Sequence, residues 1–130
     1  MNTGVRSKVT KCDVVCETDQ FDPRMVSEAR AALPPETELR RAADAFRVLA
    51  NPNRLRALKA FQGRELCVCE LREVLGISMS GTSQALRELR SLGAVDFRTQ
   101  DNPAYYRLAD PSWLQIAEVV LDRFAAVEVT

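Results

Sequence analysis

The residues in this chain best suited to chemistry are its four cysteines, which come as two close pairs. Cys12 and Cys16 are separated by three residues near the start, and Cys67 and Cys69 flank Val68 in the run Glu65-Leu66-Cys67-Val68-Cys69-Glu70-Leu71. Both spacings suit chelation, the chain has no histidine, and four sulfurs are what a tetrahedral site for a soft metal needs. Successive residues on a helix lie about 100° apart, so two cysteines two positions apart project roughly 200° around the axis and cannot both face one ion. Cys67 is therefore expected at or before a helix start, where the backbone is not yet helical and the helix dipole favours the thiolate. Other readings of the same cysteines are small core filler, a structural zinc clasp, and a thiol-redox switch closing a disulfide between the pairs.

The elements that must position these sulfurs follow from pattern. A chain of 130 residues suits one domain with a tail. Residues 1–35 read as an N-terminal arm with a short helix near Pro23 to Ala32, closed by Leu33-Pro34-Pro35. Residues 36–130 read as the folded domain. Its first helix spans Glu36 to Leu49, with Leu39, Ala42, Ala43, Phe46 and Leu49 as the apolar face. Asn51-Pro52-Asn53 starts a second helix reaching Phe61 and closed by Gly63. A third runs from near Cys67 to Leu75 and stops at Gly76; a fourth follows Ser78, carries Ala85, Leu86, Leu89 and Leu92 on one face, and ends at Gly93. These two make a helix-turn-helix.

Residues 94–99 and 104–108 favour strand and flank the turn-rich Gln100-Asp101-Asn102-Pro103. The expected fold is thus mainly α with a small β component (α+β): a winged helix-turn-helix with an N-terminal arm and terminal dimerisation helices. A last helix, Pro111 to Ala126, places Trp113, Ile116, Ala117, Val120, Leu121 and Phe124 at helical intervals as a candidate subunit interface; the same stripe also fits an intra-subunit core.

Net charge is zero, which argues against binding nucleic acid by bulk charge alone. The distribution is uneven. Arg40, Arg41, Arg47, Arg54, Arg56, Lys59 and Arg64 face only Asp44 across that stretch, whereas Asp110, Glu118, Asp122 and Glu128 oppose Arg123 near the end. Solvated helix faces would give the same pattern. The start of a recognition helix enters the major groove, where glutamine pairs with adenine and arginine with guanine. Gln84 and Arg87 are the candidates for bases, Ser80, Thr82 and Ser83 for phosphate or base edges, and Arg98 or Arg107 of the wing for backbone. Thr82 and Ser83 also suit helix capping. An enzyme is excluded on motif grounds, since the chain has no histidine base, glycine-rich phosphate loop or nucleophile elbow. Without an apolar run near the roughly 20 residues that span a bilayer, or a leader pattern, a cytoplasmic location with reduced thiols and no membrane partner is expected.

Glu65 to Leu71, the run Gly76-Ile77-Ser78 through Ser83 with Leu86 and Leu89, Gly93-Ala94-Val95, and the wing end Tyr106-Arg107-Leu108 together resemble the ArsR/SmtB family of metal-responsive repressors. The cysteines resemble those of its cadmium- and lead-sensing, CadC-like branch. The resemblance covers residues 36 to 126 and implies a homodimer that binds double-stranded operator DNA when metal-free and releases it on binding Cd(II) or Pb(II), with Zn(II) a further candidate. It implies Cys67 and Cys69 as helix-borne ligands, with Cys12 and Cys16 reaching over from the opposite subunit's arm. The sequence departs from the family pattern at Gln84, where histidine is frequent, at the wing tip Asp101-Asn102-Pro103, and in lacking histidines for a zinc site on the last helix. Sulfur ligation also admits mercury, arsenite or bismuth, and a winged helix that binds protein around a structural zinc is the reading of another class.

Overall fold

The computed structural model describes residues 21–98 and 103–125, and the chain divides into two units between Glu36 and Thr37. In the first, α1 (Pro23–Ala31) is capped by Asp22, whose side chain accepts from the Arg24 N–H at 2.9 Å, and buries none of its residues.

The second unit holds the helices α2 (Glu36–Leu49), α3 (Pro52–Ala60), α4 (Val68–Leu75), α5 (Met79–Ser91) and α6 (Ser112–Ala125), with strands β1 (Leu66–Cys67), β2 (Val95–Arg98) and β3 (Tyr105–Leu108). Helix boundaries follow local chemistry. Asn51 caps α3 by accepting from the Asn53 and Arg54 N–H groups at 2.9 and 3.2 Å, with Pro52 where a missing N–H costs nothing. Helix α4 ends at Gly76 in the left-handed conformation (φ 69°), and the Ser78 hydroxyl accepts from the Gly81 N–H at 3.0 Å to begin α5. That short turn fixes α4 against α5 as a helix-turn-helix.

Phe61, Leu58, Leu71 and Leu89 are the largest fully buried apolar side chains, joined in the core by Val48, Leu49, Leu75, Leu86, Val95 and Leu114. Each large apolar side chain buried this way contributes about 1.5–3 kcal/mol. The strands form one antiparallel sheet in the order β1-β3-β2. The hairpin pairs Val95 with Leu108 and Arg98 with Tyr105, and β1 pairs Leu66 with Tyr106 and Cys67 with Tyr105. This third strand is not among the elements expected from sequence, because two residues are too few to show an alternation.

Two apolar stripes depart from expectation. On α2 the buried residues are Ala45, Val48 and Leu49, while Leu39, Ala42, Ala43 and Phe46 are exposed. On α6, Ala117 is buried with Leu114 and Trp113 packs partly buried against the core, so these two expected interface residues serve their own subunit. Ile116, Val120, Leu121 and Phe124 are exposed, together with Val119, which was not singled out. Both helices are apolar over more than one face, and the core takes only one. Lys59 of α3 also forms a salt bridge with Glu118 of α6 at the edge of the face that Leu114 and Ala117 bury. Among the described residues no helix is long and apolar enough to cross a membrane.

Candidate nucleic-acid interface and metal-ligating cysteines

Helix α5 presents Ser80, Gln84 and Arg87 to solvent, with Ser83 half-buried beside them. Gln84 and Arg87 are one helical turn apart and touch. Arg87 donates to the Gln84 side-chain oxygen, and the Gln84 amide donates to Glu88 at 3.1 Å. Donor and acceptor of Gln84 are thus lined up along the exposed face. Thr82 is different. It is fully buried, and its hydroxyl donates to the Ser78 carbonyl at 2.9 Å. This corrects the expectation of a phosphate or base contact there: Thr82 lies on the stripe of Ala85, Leu86 and Leu89 and secures the first turn of the helix.

The wing carries Arg98 and Arg107 on the sheet face opposite Phe97 and Tyr106, both already engaged. Arg98 donates through Nε and Nη2 to one Glu65 oxygen at 3.0 and 2.8 Å and lies over the Tyr105 ring at 5.5 Å. Arg107 donates to Asp96 at 2.9 Å, and its Nη1 lies 4.0 Å from the other Glu65 oxygen. The hydrogen bond to Asp96 raises the Arg107 pKa above its ordinary value. Arg90 covers Phe97 at 4.3 Å, tying α5 to the hairpin. Glu65 and Asp96 are the partners of the wing arginines, and sequence reasoning missed both. Asp96 was findable, because folding the hairpin about its turn places it opposite Arg107. Glu65 was not, because its partners depend on the unexpected strand β1.

Cys67 is at once the last residue of β1 and the N-cap of α4, with extended backbone (φ −82°, ψ 171°), as the 200° argument requires. Its N–H donates to the Glu70 side chain at 3.0 Å, which holds the helix start. Cys67 is buried and Cys69 exposed, and neither is in a disulfide. The two thiols stand at the N-terminal end of α4, and as soft donors their chemistry suits a thiophilic ion. Among the described residues no group of three or more Cys, Asp and Glu converges on one point. Cys12 and Cys16 lie outside the described residues.

A helix-turn-helix flanked by an antiparallel wing defines this molecule as a winged-helix protein, with a polar face on its second helix. The family model for the bacterial regulatory proteins of the arsR family matches residues 51–96, from the N-cap of α3 into β2. Three relatives agree. The chain is 40% identical over 80 residues to a transcriptional repressor SmtB homolog of Synechocystis sp., covering 62% of this chain and 61% of that protein. It is 33% identical over 94 residues to the repressor SmtB of Mycobacterium tuberculosis, covering 72% and 67%. The cadmium resistance regulator CadC of Listeria innocua is 32% identical over 75 residues, covering 57% and 63%. Among solved structures, Rv0081 of Mycobacterium tuberculosis superposes with a TM-score of 0.60 at 33% identity, over 75% of this chain and 100% of that one. The chain belongs to the ArsR/SmtB family of transcriptional regulators, which are not enzymes. It spans about three fifths of the length of the Synechocystis and Listeria proteins.

Proposed function

We propose that this protein is a metal-responsive repressor, a homodimer that binds operator DNA when metal-free and leaves it on loading a thiophilic ion, so that efflux or resistance genes are expressed. The observation that carries the reading is the position of Cys67. The residue with the ligand sulfur is the N-cap of α4, the first helix of the helix-turn-helix, and the last residue of a strand paired to the wing. A donor placed there cannot move without moving the DNA-reading unit.

In this reading Cys67 and Cys69 supply two thiolates, and Cys12 and Cys16 of the opposite subunit's arm complete the site. Four thiolates on a divalent ion carry a formal charge of about minus two, which opposes DNA phosphates while the ligand set drags α4. Gln84 and Arg87 read bases, Ser80 and Ser83 hold phosphate or base edges, and Arg98 and Arg107 track the backbone. Ile116, Val120, Leu121 and Phe124, exposed on α6, form the subunit interface. Cadmium or lead is the inducer best matched by sulfur-only ligation and by the similarity to CadC, with zinc third.

The test is a DNA-release titration of reduced protein with cadmium, lead, zinc and arsenite in turn, plus diamide. Release by cadmium or lead near stoichiometry, abolished by Cys67→Ser or by deleting residues 1 to 20, is expected. Release by diamide alone would transfer the protein to thiol-redox sensing, and full cadmium response by the truncated dimer would remove the arm cysteines from the site.

A further inference from the structure

Strand alternation puts two cross-strand rows on the face of the sheet opposite Leu66, Tyr106 and Val95, where Cys67 is buried and Glu65, Asp96 and Arg107 are exposed. One row is Cys67, Tyr105 and Arg98, set by the pairings of β3 with β1 and β2. The next is Glu65, Arg107 and Asp96, two positions further along. Leu66, Tyr106 and Val95 fall on the opposite face, against the core. The two wing arginines thus meet two carboxylates, and the face that would approach phosphate is locally neutral. Glu65 is the carboxylate common to both arginines, holding Arg98 through two N–H groups and Arg107 through its second oxygen. It stands two residues before Cys67, immediately ahead of β1.

We infer that Glu65 is the positioning residue that links the cysteine-bearing strand to the wing, by competing with DNA phosphate for Arg98 and Arg107. These ion pairs are partly exposed, with 38% and 36% of the Arg98 and Glu65 side chains accessible, so their net worth is small and phosphate can displace Glu65 at little cost. How readily it does so depends on where β1 holds the carboxylate. Ligation at Cys67 fixes β1 and the start of α4 together, which keeps Glu65 on the arginines and denies them to the DNA backbone. The coupling runs through three contiguous parts, the Cys67–Tyr105 pairing, the Glu65 side chain and the two guanidinium groups, and needs no change in the core.

The inference rests on the repressor reading, and the test separates the two. Full-length reduced parent, Glu65→Gln, Arg98→Ala/Arg107→Ala and the triple variant would be titrated onto a fluorescent duplex selected from random sequence by the metal-free parent, with and without cadmium chloride, over a range of salt. Cadmium affinity without DNA would be read from thiolate-to-metal absorbance against a competing chelator. For metal-free Glu65→Gln, binding about three- to tenfold tighter at low salt is expected, with the log–log salt slope steeper by about one as an extra phosphate contact is gained. Cadmium should lower its DNA affinity by a smaller factor than in the parent, and by reciprocity DNA should weaken cadmium binding less; because ligation favours the Glu65–arginine contacts, its cadmium affinity without DNA should fall by a factor no larger than that lost coupling. In the Arg98→Ala/Arg107→Ala background the Glu65 substitution should change nothing. Glu65→Gln matching the parent in affinity, slope and cadmium response would overturn the inference while leaving the repressor intact. A gain that persists without the arginines would overturn it as a bulk-charge effect, and a parent that selects no duplex would overturn both readings.

Discussion

At the scale of single residues, the exposed face of α5 is a small relay of side chains. Arg87 leans on Gln84, and Gln84 on Glu88, so each is oriented along the helix. Alanine at Gln84 or Arg87 is expected to weaken operator binding by roughly 1–3 kcal/mol with cadmium affinity unchanged, as read by fluorescence anisotropy beside a metal competition assay. Equal binding by both variants and the parent would place base recognition elsewhere. Thr82 belongs to a different system. Thr82→Val keeps the buried volume but strips the hydroxyl from the Ser78 carbonyl, and about 1 kcal/mol of urea-unfolding stability should be lost. Any loss of DNA affinity in that variant should follow helix fraying at Ser78, so a variant as stable as the parent with sharply reduced DNA binding would reinstate Thr82 as a contact.

At the scale of elements, the helix-turn-helix depends on a turn that only one residue type makes without strain. Gly76 has φ 69°, and nothing lies within 4 Å of where a Cβ would stand, so the cost of Gly76→Ala is conformational alone. About 1 kcal/mol of destabilisation is expected in chemical unfolding, and an unchanged midpoint would mean that the turn relaxes to another conformation. The same local rules made most elements legible in advance. Capping residues and glycines stand beside the ends of α3 to α5, and the hairpin announced itself by β-favouring runs around a turn. What stayed hidden was long-range. Strand β1 exists because β3 offers it a partner, and two residues carry no periodicity of their own. Thr82 was misplaced because its polarity suggested solvent, although its spacing from Ala85, Leu86 and Leu89 puts it on the buried stripe. The cysteines at the helix start were legible from geometry, whereas the grip of Glu65 on the wing required the sheet register.

At the scale of the whole molecule, the unsettled quantity in the sequence was which apolar stripe serves the chain's own core. Leu49, Val48, Leu114 and Ala117 go inward; Leu39, Phe46, Val119, Val120 and Phe124 do not, and Phe46 and Phe124 are left 62% and 67% accessible. Periodicity shows that a helix has an apolar face but not what will cover it. Two copies meeting through α6 would bury these side chains, and a charge there would face desolvation without a partner. Val120→Glu is therefore expected to sediment as a monomer with its helical content retained, and a dimeric Val120→Glu would relegate the stripe to a surface without that role. The exposed faces also make assembly a matter of mass action. If much of the apolar burial happens only on pairing, folding and association are linked reactions, and the thermal midpoint should climb as subunit concentration is raised, which differential scanning calorimetry over a hundredfold dilution series would show. Below the dimer dissociation constant, the amount of species able to grip both halves of a two-fold operator would grow as the square of the subunit supply, so gene dosage would set the sharpness of control alongside the affinity of any ion.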